Sequence, residues 1–164
     1  MKFLKYLLSA AAVAMMVIIF WLSDQPGYDS TLMSGSVGYS FCDVFIDGFE
    51  EMDLTQQAGL VLTVDYPLRK CAHAFEYMVL SVLCTGSLLL WFYHKMNRPD
   101  LLFLFGWIIS LLYAVSDEIH QFFVPGRSCM LLDIVIDAAG AAAGALLLML
   151  ICHRILRRRH SSET

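Results

Sequence analysis

The sequence predicts an all-α polytopic membrane protein with four transmembrane helices and an outer amphipathic helix between the first and second. Of 164 residues, 59% are hydrophobic and only 16% charged, which is too little charge to cover a soluble surface. The mean hydropathy of +0.65 is above that of disordered chains and ordinary soluble domains. The apolar residues gather into four stretches, each able to cross roughly 30 Å of hydrocarbon as a helix of about 20 residues. A chain this short makes one domain, residues 1–164.

The first span, 4–22, follows Lys2 and Lys5. It is too long for a signal-peptide core and no small-x-small site follows it, so it reads as a retained anchor whose exit is Trp21-Leu22-Ser23-Asp24-Gln25-Pro26. The second, 72–93, is interrupted only by His73 and Glu76 in its first turns. The third, 101–120, reaches helix length only by running into Asp117, Glu118 and His120. The fourth, 130–152, carries Asp133 and Asp137 in its first two turns. A soluble bundle helix would keep a polar face, and the run from Leu146 to Ile151 leaves none.

Basic residues favour the cytoplasmic side of short connections. Lys2 and Lys5, then Lys95 and Arg98, then Arg154, Arg157, Arg158 and Arg159 alternate correctly with four spans and place both termini in the cytoplasm. The outer segment 23–71 holds eight acids against Arg69 and Lys70, a net charge of minus six. Within it Val37, Phe41, Val44, Phe45 and Phe49 recur at helical spacing. That pattern predicts a short amphipathic helix lying on the membrane or capping the bundle. Near Leu54 to Val64 the pattern allows a short helix or a strand. Pro67 is expected in the opening turn of the second span.

The costly residues define the candidate site. Arg69, Lys70, His73, Glu76 and Tyr77 open the second span, Asp117, Glu118, His120 and Gln121 close the third, and Arg127, Ser128, Asp133 and Asp137 open the fourth. All three groups fall at one depth on the outer side. Arg69, His73, Glu76 and Tyr77 share one helical stripe, as do Asp117, His120 and Gln121, and Asp133 lies one turn before Asp137. Facing lipid, a charge costs roughly 2.5–3.5 kcal/mol at the bilayer centre and less near the interface. The stripes are therefore expected to face inward and enclose a polar cup. Gly140 and Gly144, beside Ala141 and Ala145, form a small-residue face that lets another helix approach closely.

The segments Trp21–Pro26, RKCAHAFEY from Arg69 to Tyr77, SDEIHQFFVPGR from Ser116 to Arg127 and DIVIDAAGAAAG from Asp133 to Gly144 together resemble the VanZ-like family of small membrane proteins. The resemblance implies a bacterial cell-envelope protein related to the accessory protein that raises teicoplanin tolerance in glycopeptide-resistance clusters. It carries over to Arg69, Lys70, His73, Glu76, Tyr77, Asp117, Glu118, His120, Gln121, Pro125, Gly126, Arg127, Asp133, Gly140 and Gly144. Relatives often have asparagine at the position of Asp137.

Several chemistries fit these residues. In the leading one the cup recognises a polar or anionic headgroup, a lipid-linked envelope precursor or a glycopeptide, with Arg69, Lys70, Tyr77, Gln121, Arg127, Ser128, Asp133 and Asp137 as binding residues. A second is acid–base hydrolysis or transfer, with His73, Glu76, Asp117, Glu118 and His120 as catalytic candidates. Metal-assisted hydrolysis is the weaker form of that idea, because no H-E-x-x-H segment is present and basic residues compete for the carboxylates. No metal site and no cofactor is expected. A third reading makes the charges an internal network closing the bundle. Transport lacks an inverted repeat, and the arginine run after the last span suits an inner-leaflet anchor better than nucleic acid. Membrane lipids are the expected partners, and the five cysteines are expected to be free thiols, a Cys71–Cys129 bridge being the alternative.

Overall fold

The computed structural model describes residues 2–96 and 98–162; the side chains of residues 2, 28, 29, 33 and 156–162 lie outside the described residues. Lys2, Arg157, Arg158 and Arg159 of the charge pattern therefore fall outside the described side chains. Five α-helices are present, α1 (Lys2–Ser23), α2 (Gly27–Phe45), α3 (Leu54–Phe92), α4 (Leu101–Gln121) and α5 (Leu131–Ser162), and no strand occurs among the described residues. Four segments are long and apolar enough to cross a membrane: Phe3–Ser23, Leu54–Phe92, Leu101–Gln121 and Leu131–Ile155.

α3 is the hub, touching α1, α2, α4 and α5. Its contact with α5 depends on the two glycines, because a Cβ at Gly140 or Gly144 would run into the main chain of Ala74 or Met78. The helices run parallel here, so the small face of α5 lets the two backbones approach along a full turn of each. On α4, Gly106 gives the same clearance to Thr85. Polar tips tie the remaining helices: the Trp107 indole donates to Ala138 O at 3.1 Å, the Tyr113 hydroxyl to Met16 O at 2.6 Å, and Ser9 shares a 2.7 Å hydrogen bond with Ser87. In hydrocarbon such groups must find partners within the protein. Around the perimeter Val13, Val17, Leu112, Val135 and Leu146 are exposed, as lipid-facing residues are.

The segment before the second span differs from the sequence expectation. The helix begins at Leu54, not at 72, and Pro67 lies inside it. Asp53 starts it with a capping box: its carboxylate accepts the Thr55 and Gln56 N–H groups, both at 2.9 Å, while Gln56 Oε1 accepts the Asp53 N–H at 3.3 Å. Pro67 removes one intrahelical hydrogen bond, a cost of about 3 kcal/mol in a helix interior. Packing on both sides of the proline outweighs it. α2 runs antiparallel to the first half of α3, with Ser34 bonded to Asp65 and Gly38 against Val61 and Val64. A 3₁₀ turn, Phe49–Glu51, joins them, and its Phe49 carbonyl accepts from Gln57 Nε2 at 2.9 Å.

At 39 residues α3 is about 58 Å long, nearly twice the hydrocarbon thickness. α2 and the first half of α3 thus form an antiparallel hairpin packed along its length. Val37, Val44 and Phe45 are exposed, whereas the small stripe Ser34, Gly38 and Cys42 meets α3.

Candidate functional site

Where α1 ends, α4 ends and α5 begins, the loop 122–130 folds back over α3. Gly27 N–H donates to Pro125 O at 3.1 Å, and Gly126 takes a positive φ of 75° that a side chain would resist. This joins the Gln25-Pro26-Gly27 turn to the Pro125-Gly126-Arg127 turn and sets Arg127 over the helix ends. Below it lies a cavity of about 140 Å³ whose wall includes Arg69, Lys70, His73, Gln121, Arg127 and Asp133, with Ser128 also on its edge. A second cavity, of about 210 Å³, occupies the other side of Arg69, His73 and Arg127 and reaches Leu22, Gln25 and Glu76. A void of about 10 Å³ between Lys70, Glu118 and Asp137 continues inward.

Each charge has an identifiable setting. Lys70 Nζ pairs with Asp133 Oδ2 at 2.5 Å across α3 and α5. Arg69 pairs with Asp65 one turn earlier at 3.1 Å, and Asp65 is also held by the Ser34 hydroxyl. Arg127 makes its hydrogen bonds to main-chain carbonyls, Nε to Gln25 O and Nη2 to Leu22 O, both at 3.2 Å. It therefore caps the C-terminal end of α1 while its charge faces both cavities. Burial first, and then the neighbouring Arg69 charge, draw its pKa below the ordinary arginine value. His73 Nδ1 stands 3.8 Å from Glu76 Oε2, beyond hydrogen-bond length.

Deeper in the bundle the acids gather. Asp117 Oδ2 accepts from the Ser23 hydroxyl at 2.8 Å and from Gln121 Nε2 at 3.1 Å. Tyr77 is fully buried and its hydroxyl faces Asp117. Oxygens of Glu76, Tyr77, Asp117, Asp133 and Asp137 have no protein partner. Glu118 Oε1 accepts the Met130 N–H at 2.6 Å, a negative charge at the start of α5 where the helix dipole favours it.

Of the sequence-selected residues, Arg69, Lys70, His73, Glu76, Gln121, Arg127, Ser128 and Asp133 line the two larger cavities. Glu118 and Asp137 reach only the small void, and Tyr77 and Asp117 lie behind it in the core. His120 is not among the cavity-lining residues. It stacks on Phe20 at 4.5 Å and meets Asp24 at 3.2 Å on the outer face of α1, because the three-residue step from Asp117 turns it away from α5. Sequence reasoning missed Asp65, Ser23 and Gln25. Asp65 sits one turn before Arg69 and extends its stripe, a signal hidden once the helix was started at 72. Ser23 and Gln25 lie in the Trp21–Pro26 exit.

Among the described residues no group of three or more His, Cys, Asp or Glu is arranged to hold a metal ion. All five cysteines are free, Cys71 and Cys129 among them. The family model described as VanZ/LLP1 matches residues 8–153, an interval that runs from within α1 to within α5 and holds all four motif segments. The chain belongs to the VanZ/LLP1 family. No curated protein and no solved structure matches it. In this VanZ/LLP1 member the shared motifs Trp21–Pro26, Arg69–Tyr77, Ser116–Arg127 and Asp133–Gly144 are the segments that build the cavities and the α3–α5 contact.

Proposed function

We propose that this protein holds the anionic headgroup of a lipid or lipid-linked envelope precursor at the outer membrane face, and through that binding alters susceptibility to glycopeptides such as teicoplanin. One observation carries the reading: Arg69 and Arg127 face the same two cavities, and Arg127 hydrogen-bonds main-chain carbonyls and, among the described residues, pairs with no carboxylate. Two guanidinium forks and His73 around a polar-walled space suit a phosphate or carboxylate. The outer placement follows from the alternation of Lys5, Lys95, Arg98 and Arg154 with the spans, which puts both termini in the cytoplasm.

The test compares wild type with Arg127→Ala and Arg69→Gln. Native mass spectrometry of the purified chain with a phosphate-headed lipid reads binding, and a teicoplanin dilution series on expressing cells reads the phenotype. Arg127 also caps α1, so carbonate extraction checks insertion and Arg127→Lys, which keeps charge and loses the fork, separates folding from recognition. Both alanine and glutamine variants should insert normally and lose most lipid retention, with lysine intermediate. Wild-type retention in both would overturn the proposal.

Acid–base hydrolysis or transfer is the second reading, favoured by His73, which borders both larger cavities with Glu76 behind it. An apo distance of 3.8 Å is compatible with a pair that tightens around substrate. On this reading Glu118 orients the start of α5 and is not the base. Turnover of a candidate phosphoester surviving His73→Ala would sink it.

A further inference from the structure

A cavity of about 440 Å³ lies at the other end of the bundle from the charged cup. Its walls come from the end of α3 (Leu89, Leu90), the start of α4 (Phe103) and the last apolar turns of α5 (Met149, Cys152), all half-buried. His94 and His153 stand at its rim, where α3 has ended and α5 is about to leave its apolar stretch. The lining is overwhelmingly apolar and the volume falls within the range of small-molecule sites. A groove formed by three spans at the edge of hydrocarbon has lipid tails as its nearest apolar material.

Charge decides which lipid. Asp100, the acid on the rim, is neutralised by Arg98, whose Nη2 and Nε donate to it at 3.0 and 3.3 Å. That pairing holds the Asp100 carboxyl below its usual pKa. Lys95 and Arg154, both exposed, stand in the link after α3 and on α5 next to His153, and among the described residues neither has a carboxylate partner. Basic side chains in this position attract anionic headgroups.

We propose that this groove binds one acyl chain of an anionic phospholipid, with its headgroup at Lys95, His153 and Arg154. Under the orientation proposed above, that lipid belongs to the cytoplasmic leaflet. The site is separate from the cup and stands or falls independently of it.

The experiment uses the full chain in maltoside micelles titrated with dioleoyl phosphatidylglycerol or dioleoyl phosphatidylcholine. Native mass spectrometry reads bound lipid, and peptide mass spectrometry reads the alkylation rate of Cys152, with exposed Cys129 as internal control. With Arg127→Ala as background, which empties the cup, phosphatidylglycerol should be retained as one tight adduct, preferred over phosphatidylcholine by roughly five-fold, the pull of a single basic side chain. It should slow alkylation at Cys152 and not at Cys129. Leu90→Trp and Met149→Trp, which fill the groove from two different helices, should each abolish both effects in that background, and the Cys152 protection should be the same with and without Arg127→Ala. Equal retention of the two lipids, Cys152 protection that survives both tryptophans, or a dimer that they dissolve would each overturn the proposal.

Discussion

Breaking the Lys70–Asp133 pair should have unequal consequences depending on which partner is removed. The side chains are 19% and 13% exposed and meet at 2.5 Å, so each is largely withdrawn from water. Removing one partner of a buried pair typically costs about 3–5 kcal/mol, because the other charge is left uncompensated. Here the surroundings are asymmetric. Lys70 shares the small void with Glu118, Asp133 and Asp137, so it faces three acids, whereas Lys70 is the only lysine or arginine lining that void. Lys70→Met leaves three carboxylates without their cation and should cost about 3–4 kcal/mol, the lower part of the range because both groups retain some exposure. Asp133→Leu leaves Lys70 two other acids and should cost about 1–2 kcal/mol, with the remaining attraction making up the difference. The double variant should be less destabilised than the sum by about 1–2 kcal/mol. Denaturant unfolding in mixed micelles, followed by far-UV circular dichroism, measures all four corners of the cycle. Additivity within about 0.5 kcal/mol, or an Asp133→Leu more damaging than Lys70→Met, would refute the assignment of Lys70 as the shared counter-charge.

The other predictions concern packing, topology and the buried hydroxyl. Gly140→Ala and Gly144→Ala should each destabilise by about 1–3 kcal/mol by forcing α3 and α5 apart, whereas Gly59→Ala, with open space around the new methyl, should be neutral or stabilising by up to about 1 kcal/mol; equal effects in the unfolding assay would contradict the close approach. A membrane-impermeant maleimide applied to intact cells should label exposed Cys71 and Cys129 and spare buried Cys42, and labelling of the two only after lysis would invert the proposed topology. Tyr77→Phe removes a fully buried hydroxyl that has no hydrogen-bond partner. It should leave stability unchanged or raise it by about 1 kcal/mol, and a loss above about 1.5 kcal/mol would mean the hydroxyl has a partner.

The four spans were legible because continuous apolar runs such as Leu146–Ile151 have one physical meaning in a chain with so little charge. The convergence of Arg69, His73, Arg127 and Asp133 was legible for a related reason: ionisable residues at the same ends of three spans have nowhere inexpensive to point except inward. The hairpin was not. α2 meets α3 through the small residues Ser34, Gly38 and Cys42 and not through its apolar residues, and Pro67 advertised a helix start that the Asp53–Gln56 capping box had already supplied. His120 shows the limit of spacing arguments. A step of three from Asp117 is compatible with a shared face, yet the ring lies against Phe20 and Asp24, and only the packing of α1 on α4 decides this.

Whether the charges merely close the bundle turns on how they are satisfied. A closing network should be complete, since a buried polar group without a partner costs more than the bond it would make returns. Lys70–Asp133 and Arg69–Asp65 meet that standard in part, but oxygens of Glu76, Asp117, Asp133 and Asp137 do not. Arg69, Lys70 and Arg127 share the walls of the larger cavities with Glu76 and Asp133, while Asp117 and Asp137 lie in the core behind them. An anion entering the cavities meets two guanidinium groups that repel each other and lowers that repulsion. Asp133 is taken by Lys70 and Asp65 by Arg69, whereas Arg127 bonds main-chain carbonyls and keeps its charge toward both cavities, and it is this cation that makes anion recognition the stronger reading of the cup.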